Sequence, residues 1–210
     1  MSMITQISNE LSQLDEFLTG NGAINEVAYA FEEAKNKTAA VSPLINAVRA
    51  HQFYQHYDKA VLQWNLKDAD GYDLRLTGSI KILSPEEIDK DWKGTVYFDS
   101  TPKEYDLQRF KPVDMFSEDA VAGIFGGDLQ HVMHLYLYEG KPQSLQLTLD
   151  NYILMALKCR GFYFWHYLVL YFITGDKNEV VADYESFCNT MNHLYTINEL
   201  RDEYDKLRKI

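Results

Sequence analysis

Cysteine is scarce in this chain: two among 210 residues, Cys159 and Cys188, neither of them in a C-x-x-C pair. So few thiols cannot build a disulfide framework, and a reduced compartment, the cytoplasm, is the expected setting. Basic side chains are outnumbered, 20 against 31 acidic ones, for a formal net charge of −11. Nucleic acids and anionic membranes are bound through clustered Lys and Arg, so neither is an expected partner. The most apolar run, Phe162 to Ile173, is shorter than the roughly 20 residues that span a bilayer. It is bounded upstream by Lys158, Arg160 and Gly161, and reads as a buried core element. Residues Met1 to Thr19 carry Glu10, Asp15 and Glu16 without a basic leader, which is unlike a signal or transit peptide.

Catalytic signatures are missing too. There is no G-x-S-x-G, no G-x-x-x-x-G-K-[ST], no H-E-x-x-H and no G-x-G-x-x-G. Gly123 to Gly127 is Gly-rich but lacks the following Lys-Ser/Thr of a phosphate cradle, and reads as a turn. His131 and His134 fall in an alternating segment, where positions three apart point to opposite faces and cannot share a metal. His51 and His56, five apart, are poorly spaced for ligation on a helix. The acidic loop Asp68 to Asp73 has hard oxygens near Gly71 but not the spacing of an EF-hand, so calcium is a weaker reading than a solvated loop. No cofactor or metal is expected. The best enzyme site available would combine Cys159, Arg160 and His166, with the two cations of residues 158 and 160 lowering the thiol pKa.

What the chain does have is a core. Hydrophobic residues make up 46% and aromatics 14%, enough to fold 210 residues as one domain. Leu11, Leu14, Phe17 and Leu18 predict an N-terminal helix stopped by Gly20-Asn21-Gly22. A second helix is expected from Ile24 to about Lys37. Ser42-Pro43 opens a third, running through Val48 and toward Tyr54. Strands are predicted at Ala60–Leu66, Gly78–Leu83, Thr95–Phe98, within Met115–Phe125, at His131–Tyr138 and at Ser144–Leu147. Ser84-Pro85-Glu86-Glu87 marks a short capped helix. Helices return at Leu149–Leu157, Phe162–Ile173, Val180–Tyr195 and Ile197–Leu207. Helices, then strands, then helices imply an α+β fold with a central, mainly antiparallel sheet. Residues 1–40 would be an N-terminal helical extension and 176–210 a C-terminal helical tail.

One stretch concentrates the acidic charge. Asp68, Asp70, Asp73, Glu86, Glu87, Asp89 and Asp91 sit in loops around the predicted strands, and further carboxylates follow to Asp119. Solvated faces filled with charge account for such a stretch without any function. The functional reading is an acidic docking surface, on which charge complementarity would speed encounter with a basic protein.

Several segments resemble the SUKH superfamily of bacterial toxin-immunity proteins and fungal regulators of cell-wall assembly. They are FYQHYDKAVLQWNL with Trp64, GSIKILSPEEI from Gly78 to Ile88, and WKGTVYFDS with Trp92, Gly94, Phe98 and Asp99. PVDMF (Pro112 to Phe116), HLYLYEG and LDNYILMAL continue the likeness, which runs from about Phe53 to Leu170. In place of an Asn-Gly-Gly after the helix–strand junction the chain has Asn65-Leu66 and a delayed Gly71. The resemblance implies an α+β fold and a non-enzymatic protein that binds other proteins. In the bacterial branch the partner would be a secreted or contact-delivered toxin domain, met by an acidic surface. A regulatory or scaffolding protein of the same fold is the alternative, with an unrecognised enzyme behind it.

Overall fold

The computed structural model describes residues 2–34, 42–66, 77–138 and 140–208. Helix α1 (Met3–Gly20) starts at Ser2, whose hydroxyl accepts from the Thr5 N–H at 3.3 Å. Of the predicted face, Leu14, Phe17 and Leu18 are buried and Leu11 is half-buried, and Ile7 extends the buried stripe. At its end Asn21 Nδ2 donates to the Phe17 carbonyl at 2.8 Å, pairing one of the orphan carbonyls of the last turn.

The expected second helix is a strand. β1 (Ile24–Glu33) runs antiparallel to β2 (Tyr57–Leu66), paired from Ile24–Leu66 to Glu33–Tyr57 with register shifts between Glu26 and Ala28 and between Glu32 and Glu33. The Ala and Glu residues of this segment favour helix locally, but the open edge of β2 supplies a ladder that overrides that preference. β1 is an edge strand with much of its surface in water, so no clean alternation marks it in the sequence. Of the helical extension expected over 1–40, the described residues are helix to Gly20 and strand from Ile24 to Glu33, and 35–40 lie outside them.

Ser42 caps α2 (Pro43–Arg49), accepting from the Ile45 N–H at 3.1 Å with Pro at the first turn. The expected single helix breaks after Arg49 and resumes as α3 (Gln52–His56), which leads into β2. β3 (Thr77–Ile82) is followed by α4 (Pro85–Ile88), where Ser84 and Glu87 form a complete capping box. Thr95–Phe98, expected as a strand, is a turn closed by an isolated bridge between Lys93 and Tyr97, with Gly94 at φ +84°. The next strands are β4 (Phe110–Asp114), β5 (Ala120–Phe125), β6 (Val132–Leu137) and β7 (Gln143–Thr148). Four helices close the chain: α5 (Leu149–Lys158), α6 (His166–Thr174), α7 (Glu179–Thr190) and α8 (Ile197–Leu207).

Among the described residues the strands form one seven-stranded sheet in chain order, each neighbouring pair antiparallel. The fold is thus α+β with an antiparallel sheet, as the element pattern implies. The seam between β3 and β4 is narrow: the only ladder pair is Ile82–Asp114. Asp114 reinforces it by accepting the Lys81 N–H on its carboxylate at 2.7 Å.

Alternation along β5 and β6 divides the interior. Ala120, Ala122 and Leu135 join the main core, which contains all of α5 from Tyr152 to Leu157 together with faces of α1, α6, α7 and α8. Val121 and Tyr136 point the other way and pack with Val96, Leu107 and Phe110 in a smaller cluster. Between α5 and α6 the chain turns sharply at Arg160 (φ +55°) and Gly161 (φ +63°), the break that Gly161 suggested. No helix among the described residues is long and apolar enough to cross a membrane.

Candidate functional site

The acidic residues singled out in the sequence do not share one environment. Asp68, Asp70 and Asp73 lie outside the described residues. Glu86 pairs with Arg49 of α2. Glu87 accepts from the Ser84 N–H at 3.0 Å and the Ser84 hydroxyl at 2.9 Å. Burial alone would raise the Glu87 carboxyl, but these hydrogen bonds outweigh it and hold the group below its ordinary range. Asp91 is lowered first by the Tyr97 hydroxyl, which donates to it at 2.5 Å, and then by the Lys93 N–H. Asp89 differs from these three: its carbonyl takes the Lys111 ammonium at 3.3 Å, while its carboxylate has no partner among the described residues.

Asp89 lines a cleft of about 380 Å³ between the start of α2 and the turn joining β5 to β6. Pro43, Leu44 and Ala47 form one wall, and Asp128, Leu129 and His131 the other. The turn is braced from within. Asp128 accepts the backbone N–H groups of Gln130 and Val132, each at 2.9 Å, and Gly127 takes φ +88°. Leu129 is thereby thrust outward, 97% exposed. His131, the next bend, adopts φ +50° and turns its ring inward, leaving the residue 6% exposed.

Behind the cleft runs a chain of three polar side chains. His51 Nε2 meets His131 Nδ1 at 2.7 Å, and His51 Nδ1 meets an Asp150 carboxylate oxygen at 3.2 Å. Asp150 also accepts the backbone N–H groups of Gln52 at 3.1 Å and Phe53 at 3.0 Å, so it ties the first turn of α5 to the start of α3. Burial would raise the Asp150 carboxyl, yet the hydrogen bonds from His51, Phe53 and Gln52 hold it low. An ionised carboxylate only accepts, so His51 Nδ1 carries a hydrogen. In neutral His51 the Nε2 is then an acceptor, and His131 Nδ1 must donate to it. This leaves a lone pair on His131 Nε2, which has no partner among the described residues. Burial lowers the His131 pKa, and the neighbouring His51 lowers it further, against an opposing pull from Asp128.

The residues of the conceivable enzyme site are engaged separately. Cys159 is fully buried, and burial pushes its thiol well up despite Arg160 and Lys158 beside it. Arg160 is held by Glu10 at 3.0 Å, and Lys158 by the other oxygen of Glu10 at 2.8 Å, inside the contact between α1 and α5. His166 faces Tyr152, whose hydroxyl is 2.6 Å from Nε2 and donates to Asp114 at 2.8 Å. Burial drives His166 down to about 3, and Phe116 stacks on its ring at 4.2 Å. His134 bonds the Val132 carbonyl and is not brought to His131. Among the described residues no group of three or more His, Cys, Asp or Glu is placed to hold a metal ion.

Sequence reasoning passed over His51, Asp128, His131 and Asp150 as members of one site. His51 lies 80 positions from His131 and 99 from Asp150, so no spacing rule joins them. The chain matches no family model, no curated protein and no solved structure.

Proposed function

We propose that this chain is a non-enzymatic protein-binding module, a bacterial immunity protein of the SUKH type that neutralises a cognate toxin by direct binding in the cytoplasm. The partner is a basic protein. The observation that carries the reading is the cleft beside Leu129. One exposed apolar side chain is ordinary on any surface. Here it stands at the mouth of an apolar cleft whose ionic groups are carboxylates, Asp89 and Asp128. An apolar centre with a charged rim is the usual anatomy of a protein interface. The net charge of −11 supports a basic partner, because it steers such a protein inward and disfavours acidic competitors. Glu86, Glu87 and Asp91 contribute to that field from the flank, and Asp68, Asp70 and Asp73, outside the described residues, add to the net negative charge.

Co-expression with the toxin domain encoded in the adjoining reading frame tests this. Growth is expected to be restored and a one-to-one complex to be recovered. Leu129→Asp and Asp89→Lys should weaken the complex without changing the melting temperature. Failure to protect, with no complex detected by calorimetry, would overturn the reading.

A further inference from the structure

We propose that the cleft between α2 and the β5–β6 turn is the seat of one lysine side chain delivered by the protein partner, with His131 Nε2 accepting a hydrogen bond from its ammonium. This deepens the binding reading and rests on it. The walls are fitted to the aliphatic stem: Leu44, Ala47 and Leu129 supply apolar surface of the kind along which a lysine lays its methylenes. The polar groups are fitted to the head. The Asp89 carboxylate has no other partner among the described residues, and the Asp128 carboxylate keeps acceptor capacity beyond its two backbone N–H groups. An ammonium brings three donors and no acceptor, and no lysine or arginine lines the cleft to compete with it.

His131 decides the polarity. The ring is 6% exposed and fixed through Nδ1 on His51, and its remaining nitrogen, Nε2, is not among the buried unpartnered atoms, so it opens onto the cleft where a donor can reach it. The Asp150–His51–His131 chain determines which kind of group it presents. With both rings neutral, Nε2 offers a lone pair. When one proton is added and the hydrogen bond between the rings is kept, Nε2 becomes a donor whichever ring carries the charge. Acidification therefore turns the end of the cleft from an acceptor into a donor and repels a cation. Among the described residues the charged groups near this pair are Asp150 from α5, Asp128 from the turn and Asp89 from the segment after α4, with the Lys111 ammonium of β4 held on the Asp89 and Lys90 carbonyls. Arg49, at the end of α2, is already paired with Glu86.

The test uses the full chain and two small probes that share a stem: Nα-acetyl-lysine N-methylamide, and the norleucine analogue that lacks the ammonium. Nitrogen-15 NMR at pH 8 should find His131 Nε2 unprotonated. The lysine probe should give saturable shifts at that nitrogen and at Ala47 and Leu129, and the norleucine probe should not. Asp89→Asn should weaken the lysine probe about threefold to fivefold, the range of an exposed charge pair. His131→Asn, at a left-handed position that Asn tolerates, should weaken it about tenfold. As the pH is lowered, the lysine-probe shifts should disappear in step with protonation of His131 Nε2, read from its own nitrogen-15 resonance. A protonated Nε2 at pH 8, equal shifts from both probes, or an unchanged Asp89→Asn would each overturn the proposal. If the toxin domain binds while the lysine probe does not, the anchor falls and the immunity reading stands. If the lysine probe binds and the toxin domain does not, the immunity reading falls while the preference of the cleft for an alkylammonium stands.

Discussion

Trp64 and Gly78 face each other across β2 and β3 so closely that a methyl group on Gly78 would lie 2.1 Å from the indole Nε1. The indole has no room to retreat. Its N–H donates to the Arg160 carbonyl at 2.7 Å, Phe187 stacks on it at 5.4 Å, and Phe17 meets it edge-on at 5.3 Å. Gly78→Ala should therefore cost about 3 kcal/mol, the upper part of the range for overpacked cores. Gly22→Ala, where a Cβ meets nothing within 4 Å, should stay within about 0.5 kcal/mol. Urea midpoints of the two variants check the contrast.

Glu10 holds two cations in the interior. It is 4% exposed, pairs with both Lys158 and Arg160, and accepts the Tyr195 hydroxyl at 2.8 Å. Removing it by Glu10→Ala leaves Arg160 buried without a carboxylate and Lys158 with Glu203 alone, at 3.1 Å, which should cost about 3 kcal/mol, the lower end for a broken buried pair. The Lys177–Glu185 pair makes an equally short contact of 2.8 Å, but both side chains are about half exposed. Glu185→Ala should leave the denaturation midpoint where it is.

Asp114 and His166 should give the pH dependence of stability opposite slopes. Burial raises Asp114 to about 6, although the Lys81 N–H and the Tyr152 hydroxyl oppose it. Folding then favours the protonated acid, so the contribution is fully present at low pH and is lost as the pH rises through about 6. Asp114→Asn should remove that loss, gaining on the wild type by up to ~3 kcal/mol between pH 4 and pH 8. His166 is buried neutral, with its pKa lowered to about 3. Its contribution is present above the unfolded value near 6.5 and drains away as the pH falls toward 3. His166→Phe should flatten the acid limb. Chemical denaturation across pH 4–8 reads both effects.

Neither cysteine should behave as a nucleophile in the folded protein. Burial pushes the Cys159 thiol far up, and raises Cys188 to about 11. An aromatic disulfide reagent at pH 8 should label no thiol in the native state and two per chain in guanidinium. Fast native labelling of Cys159 would revive a thiol site.

Signals within a few residues of one another were legible. Ser42-Pro43, and Ser84 with Glu87, mark helix starts because a cap is a contact between a side chain and a backbone group three positions on. The apolar spacing of Leu14, Phe17 and Leu18 locates α1, and alternation locates β3 and β6. The strand from Ile24 to Glu33 was not legible, because its partner is β2 and its exposed faces carry no period. Thr95–Phe98 has strand-forming residues, but the chain turns there and Val96 packs in the smaller cluster instead of joining a ladder.

Composition and local pattern by themselves determined the class of this protein: an acidic α+β chain with enough apolar residues for one core, built from capped helices and alternating strands. Those properties depend on sums over the chain or on neighbours three and four positions apart. Only the tertiary structure decided which carboxylates are already engaged and which stay available. Glu86, Glu87 and Asp91 look equivalent to Asp89 in the sequence, and they differ because Arg49, Ser84 and Tyr97 come to their carboxylates and nothing among the described residues comes to the carboxylate of Asp89. The Asp150–His51–His131 chain likewise exists only once the start of α3, the β5–β6 turn and the first turn of α5 close on one another. Packing of the core sets that closure, and no separation along the chain encodes it.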